Sequence, residues 1–396
     1  MLLSEKKLVP KLRFSGFEDE WKTLKIGDCL DVKYGKDYKH LNEGKYPVLG
    51  TGGVMEYVDD FLYSGESILI GRKGTIDKPR YINGSFWTVD TLFYTEIKKE
   101  FPKFLFYCLS NINWLKYNEA SGVPSLSANN IKNVKINVPK LDEQKKIANL
   151  LTLLDNKINL LKEKHEDYLN FKKYLMQQIF AQKSRFKDDG SYYGDWNELH
   201  LKDIISLQGG FAFKSELFKD EGIPIIRISN ISPNNSVILD DLVYYDKLDN
   251  DSDFIIKKGE LIIAMSGATT GKVAVYDLDQ ISYINQRVGL FKQISNELYY
   301  PFLVQYTLSD SFKRELQKTL VAGAQPNISK KEIESFGISL PPYREQKKIA
   351  DLLNNVDLKI KTIQKQNYEV SEFKKYLLQQ MFDIMLNIHL FKLHIL

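Results

Sequence analysis

The chain has 396 residues, 43% of them hydrophobic and 27% charged, with a net charge of +4 and two cysteines. That length exceeds what one hydrophobic core usually serves, so two or more domains are expected. No apolar run approaches the ~18 residues of a membrane span, and Cys29 and Cys108, outside any CxxC pair, make no disulfide framework. Residues 1–13 mix charge with short apolar groups and lack a signal-peptide core, so a reducing, cytoplasmic setting is the expectation.

In chain order, Trp21 precedes short β-like runs at 67–70 and 92–94, separated by Gly, Asn and Asp turns. A helix is predicted at 101–118, then a Gly-containing loop. After Pro139 the character changes to a long helix with apolar steps of four and three, including Ile147, Leu151, Leu154, Ile158 and Leu161. Such spacing marks a coiled-coil seam. Strand-like runs return at 223–228 and 261–264, with a helix predicted at 300–320. A second long helix follows Pro341, with Ile349, Leu353, Val356, Ile360 and Ile363 on its seam. Forty residues at ~1.5 Å each make a rod of roughly 60 Å.

The chain is in effect written twice. PKLDEQKKIANLLTLLDNKI from Pro139 returns as PPYREQKKIADLLNNVDLKI from Pro341, and FKKYLMQQIF from Phe171 returns as FKKYLLQQMF from Phe373. About half of roughly forty aligned positions are identical, a duplication that chance does not produce. The preceding segments are related more loosely, as in Gly65-Glu66 against Gly259-Glu260 and Ser121-Gly122 against Ala322-Gly323. Four segments follow: a variable domain at 1–140, a helical segment at 141–186, a second variable domain at 187–340, and a helix with a tail at 341–396. Their basic and acidic residues number 21 and 17, 9 and 6, 16 and 22, and 9 and 6. The third is therefore acidic, largely through residues 240–253, which are expected on a solvated face away from nucleic acid.

An apolar-Pro step, then Glu-Gln-x-x-Ile and a long helix, repeated after a variable domain, resembles the specificity subunits of Type I restriction–modification systems. The carriers are Val138-Pro139, Glu143-Gln144 and Ile147, and Leu340-Pro341, Glu345-Gln346 and Ile349. Pro10-Lys11-Leu12-Arg13-Phe14 before Trp21, and the two FKKYL tails, add to it. The resemblance covers essentially the whole chain. It implies an α+β fold with two pseudo-repeated target-recognition domains, separated by two long helices that form an antiparallel coiled coil. Each domain would read half of a bipartite site on double-stranded DNA. The helices would dock two modification (methyltransferase) subunits, and restriction subunits would complete the endonuclease. The chain itself would hold no catalytic site, metal or cofactor; S-adenosylmethionine, ATP and Mg²⁺ would act on the other subunits. A free-standing two-headed DNA-binding regulator is the alternative reading.

Three motifs suggest chemistry and do not carry it. Leu340-Pro341-Pro342-Tyr343 resembles an amino-methyltransferase signature, but leucine lacks the oxygen that would accept from the target amine. Gly267–Val273 resembles a phosphate loop, but Val273 stands where Mg²⁺ needs a hydroxyl. Asp90, Glu96 and Lys98 have the order of a nuclease triplet without a counterpart in the second half. Candidate DNA contacts are polar, basic and aromatic residues of the loops. They are Lys33, Tyr34, Lys36, Thr51, Arg72, Lys73 and Ser121 in the first domain. In the second they are Phe211, Lys214, Arg227, Asn230, Ser266, Thr269, Lys272, Gln286, Arg287 and Gln325. Arg, Lys, Asn and Gln can read base edges, while Thr, Ser and Lys suit phosphates.

Overall fold

The computed structural model describes residues 8–321, 327–386 and 391–393. The chain divides into two compact units, residues 1–164 with 363–396, and residues 165–362. Each long helix therefore gives its two halves to different units. Among the described residues, no helix is long and apolar enough to cross a membrane.

The first unit is built on a sheet in the order Leu30–Tyr34, Leu92–Ile97, Tyr63–Gly71, Arg80–Thr88, Glu43–Gly50, Gly53–Val58. Neighbours are antiparallel except Glu43–Gly50 and Arg80–Thr88, which run parallel. Ser67, Ile68, Leu69 and Ile70 are all buried. Both faces of this stretch are covered, so it reads as a continuous apolar run rather than an alternating one.

The second unit divides the same plan between two sheets. One holds Ile205–Gly209, Val288–Gln293, Leu261–Ala264 and Val273–Val275; the other holds Val243–Tyr245, Ile223–Ile226, Ser282–Ile284 and Ile255–Ile256. Again one pair is parallel, Ile223–Ile226 with Ser282–Ile284. The single strand Arg80–Thr88 of the first unit corresponds to Val273–Val275 and Ser282–Ile284 together. The polar turn Asp277-Leu278-Asp279-Gln280 separates them.

The helices predicted at 101–118 and 300–320 are each broken. The first is Pro102–Ser110 followed by a 3-10 turn, Trp114–Tyr117; the second is Tyr300–Thr307 followed by Asp310–Val321. Asn111, of a poorly helix-forming type, caps the first piece through its backbone N–H, and fully buried Trp114 donates its Nε1–H to Leu109 O at 2.9 Å. In the second break the Ser309 hydroxyl accepts from Phe312 N and starts a new helix.

The long helices are Leu141–Phe180 and Tyr343–Phe382, 40 residues each. In the first unit Ile147 and Leu151 share a core with Leu377 and Met381, and Lys374 pairs with Asp155 at 2.5 Å. In the second, Met176 and Ile179 share a core with Ile349 and Leu353, and Lys172 pairs with Asp357 at 2.7 Å. Within each unit the two helical stretches thus run antiparallel. The two lysines fall on the apolar seam, where partnered Asp carboxylates accept their charge.

The repeated Glu-Gln pair explains how each helix is joined to its sheet. Gln144 accepts from Phe101 N and donates to Pro139 O; Gln346 accepts from Tyr299 N and donates to Pro341 O. Glu143 takes Arg13 in a bidentate pair at 2.7 and 2.8 Å. Glu345 takes Arg185 at 2.7 and 3.2 Å, and also Trp196 Nε1. These groups are almost fully buried and mutually satisfied, so the motif is structural. The segment bearing Arg13 is held by strand pairing of Leu8–Pro10 with Ile384–Leu386 and of Leu12–Phe14 with Phe391–Leu393.

Candidate nucleic-acid interface

Each unit turns the same β-turn outward, between the strand Arg80–Thr88 or Ser282–Ile284 and the strand that follows. Leu92 N donates to Val89 O at 3.0 Å in the first, and Val288 N to Asn285 O at 2.8 Å in the second. The central residues are Asp90-Thr91 and Gln286-Arg287. Four further bonds match between units. Val89 N donates to Leu49 O as Asn285 N does to Ile226 O. Arg72 N donates to Thr91 O as Met265 N does to Arg287 O. Leu126 N donates to Arg72 O as Ile328 N does to Met265 O. Lys36 N donates to Thr88 O as Phe211 N does to Ile284 O.

Gly35 and Gly210 make this convergence sterically feasible. A Cβ on Gly35 would lie 2.0 Å from Val89 O, and one on Gly210 would lie 2.1 Å from Ile284 O. No other residue lets the chain pass so close to a neighbouring backbone. Four loops and one turn are thereby fixed as a rim, which is how a scaffold places loops for binding.

In the first unit Tyr34, Lys36, Thr51, Arg72 and Lys73 all lie on this rim. Tyr34 ends its strand half-exposed, with the Arg72 guanidinium 5.5 Å from its ring centre. Arg72 also donates to Asp90 O at 3.1 Å. Lys73 bridges by backbone to Ser125, in the loop that carries exposed Ser121. Thr51 lines an open cleft of about 940 Å³ with Asp37, Lys39, Met55, Val89 and Asp90. Lys33 lies within its strand, and its ammonium, held protonated by the hydrogen bond to Glu96, is 3.2 Å from that carboxylate. Lys36 and Lys73 make no ion pair among the described residues.

In the second unit Phe211, Gln286 and Arg287 are exposed on the rim. Phe211 stacks on Phe254 at 4.9 Å and meets the edge of Phe213. Ser266 bridges to Asn327, Thr269 donates to Ile228 O, and Lys272 is half-buried behind them. Lys214 is exposed at the start of a 3-10 turn. Asn230 is 1% exposed, and its side chain accepts from Arg227 N and donates to Ile238 and Asp240 carbonyls. It shapes the loop from within. Arg227 donates to Asp241 O, while its Nε is buried without a partner. Gln325 lies outside the described residues.

The motifs set aside above are dispersed. Leu340 is buried at the end of a strand, and residues 267–269 form a 3-10 turn. Glu96 pairs with Lys33 and Lys98 with Asp31, away from the Asp90 carboxylate. Among the described residues, no group of three or more His, Cys, Asp or Glu could hold a metal ion. Two features were missed from sequence. Arg185 repeats the role of Arg13, and Asp90 occupies the turn position of Gln286. An Arg-Phe step before Trp, at 13–21 and again at 185–196, was the available signal for the first.

The sequence pattern of the family described as "Type I restriction modification DNA specificity domain" matches residues 18–168 and again 193–372. The chain belongs to this family. It is 27% identical over 386 residues to the Type I restriction enzyme MjaVIII specificity subunit of Methanocaldococcus jannaschii, covering 90% of this chain and 91% of that one. It is 20% identical to the EcoDI specificity subunit of Escherichia coli, over 88% and 83% of the two chains. Among solved structures it is similar to a Type I restriction–modification S subunit from M. genitalium, with a TM-score of 0.69 at 17% identity over 95% of this chain and all of that one. A chain from a study of assembly and conformational transition of the Type I system shares the fold at a TM-score of 0.53 and 16% identity, over 91% and 97%. The duplicated family match falls on the sheets of the two units that carry the matching rims.

Proposed function

We propose that this chain is the sequence-specific DNA-binding subunit of a Type I restriction–modification complex, with residues 1–140 and 187–340 as its two target-recognition domains. The observation that carries this reading is the twofold occurrence of one loop-and-turn rim in two related units, within a chain matched twice by the specificity family. Two similar but differently lined rims suit a bipartite site with unlike halves. Lys36, Lys73, Lys214 and Lys272 supply charge for phosphates, and turn and loop side chains reach base edges. The long helices of segments 141–186 and 341–396, Leu141–Phe180 and Tyr343–Phe382, dock two methyltransferase subunits, and restriction subunits join that assembly.

Chemistry belongs to those partners, which bring S-adenosylmethionine, ATP and Mg²⁺. The chain's own part is to bind, orient and discriminate. The test is methylation mapping of a host with its native modification genes, with and without this gene, alongside assays of the purified chain. A bipartite methylated sequence that appears only with the gene, and no methyl transfer by the chain alone, are the expected results. A methylation pattern indifferent to the gene, with DNA binding by the isolated chain, would favour a free-standing regulator.

A further inference from the structure

We propose that the two equivalent turns are base-reading positions, with Asp90 accepting from a cytosine amine in one half-site and Arg287 donating to a guanine in the other. This rests on the specificity-subunit reading above. The equivalence is fixed by the matching backbone bonds, which place Asp90-Thr91 and Gln286-Arg287 at the centre of the same turn among the same loops. Both Asp90 and Arg287 are exposed, and neither makes a side-chain ion pair among the described residues.

A carboxylate on a DNA-facing rim is repelled by phosphate, so its presence needs a donor. In the major groove the donors are the exocyclic amines of cytosine and adenine. Adenine sets its N7 lone pair beside that amine, which repels a second acceptor, whereas cytosine sets a C–H edge there. Cytosine is therefore the better fit for Asp90. Arg287 carries donors only, in a fork that matches guanine O6 and N7. The turn backbone is anchored on both sides, so each side chain starts from a fixed place. In the first unit the Arg72 guanidinium further ties down Asp90 O.

The experiment uses the complex assembled with its methyltransferase subunits, and both variant proteins and altered DNA. Asp90→Asn should relax one cytosine position in the half-site read by residues 1–140, and Arg287→Gln should relax one guanine position in the other. Each loss of discrimination should be roughly 5- to 150-fold, with the rest of the methylated sequence unchanged. With the unaltered protein, N4-methylcytosine at the first position keeps base pairing but removes the groove-facing N–H. At the second, 7-deazaguanine removes the N7 acceptor. Both should weaken binding, and the matching variants should lose little more on these duplexes. If the unaltered complex has no sequence preference, the specificity reading itself fails. If it is specific yet indifferent to both base analogues, or if either variant weakens all sequences alike, the turns are not the readers.

Discussion

Arg13 and Arg185 each close on the glutamate in the first turn of a long helix, where water cannot compensate a lost partner. The Glu345 side chain is fully buried and that of Arg185 is 13% exposed. Arg185→Met should therefore destabilise the fold by about 3–5 kcal/mol, because it strands a buried carboxylate. Replacing both partners, Arg185→Met with Glu345→Leu, should recover much of that loss in denaturant unfolding. The Glu-Gln pair was legible in the sequence because it keeps a fixed offset between the two copies. The arginines were not, because the segments linking each to its tryptophan differ in length. Cys29 and Cys108 follow from burial in the same core. Desolvation pushes both thiols up to about 12, with Glu100 and Asp28 adding to the effect at Cys29. At pH 8 only about one thiol in ten thousand is then thiolate. Alkylation of the native chain should be negligible at that pH and complete at both sites after unfolding. A thiol pKa raised on folding stabilises the native state below the ordinary value of 9.0. That contribution should be lost progressively as the pH climbs from there toward 12.

At the scale of elements, the long helices were the most legible part of the chain. Ile147, Leu151, Ile158, Leu161, Ile349, Leu353, Val356, Ile360 and Ile363 were all placed on the seam by spacing, and all are buried. The sheets were less legible, since short strands buried on both faces lose the alternation that marks a strand. The helix breaks near Asn111 and Ser309 were missed because apolar spacing continues across them, while local capping decides where a helix restarts. The rim was only partly legible: its loops were found by composition, but the turn that unites them is defined by backbone bonds between distant segments. In the sequence Asp90 stood out only within the nuclease-like triplet that was set aside. If the helices set the DNA spacer, inserting four residues at matched points in both should lengthen it. Four residues add about 6 Å of rise, and a base pair advances about 3.4 Å, so one or two base pairs are expected. A 3–4 seam absorbs such an insertion by local unwinding. Methylation mapping of the insertion mutant should show both half-sites intact around a longer spacer.

For the whole molecule, the duplicated family match and the duplicated rim make one strong demand, that the two recognition domains act separately. Each rim is anchored by bonds within its own unit, and distant sites with no shared partners usually contribute additively. The acidic balance of the second domain, 16 basic against 22 acidic residues, fits this as well. If DNA docks on the rim, charge need only be present there, and Arg287 is exposed on it. The most direct test exchanges residues 187–340 for the corresponding domain of a relative with a different target, and maps methylation by the chimaera assembled with its modification subunits. The account predicts a bipartite site with one half unchanged and the other replaced by that of the donor. A site altered in both halves, or altered in neither, would contradict it.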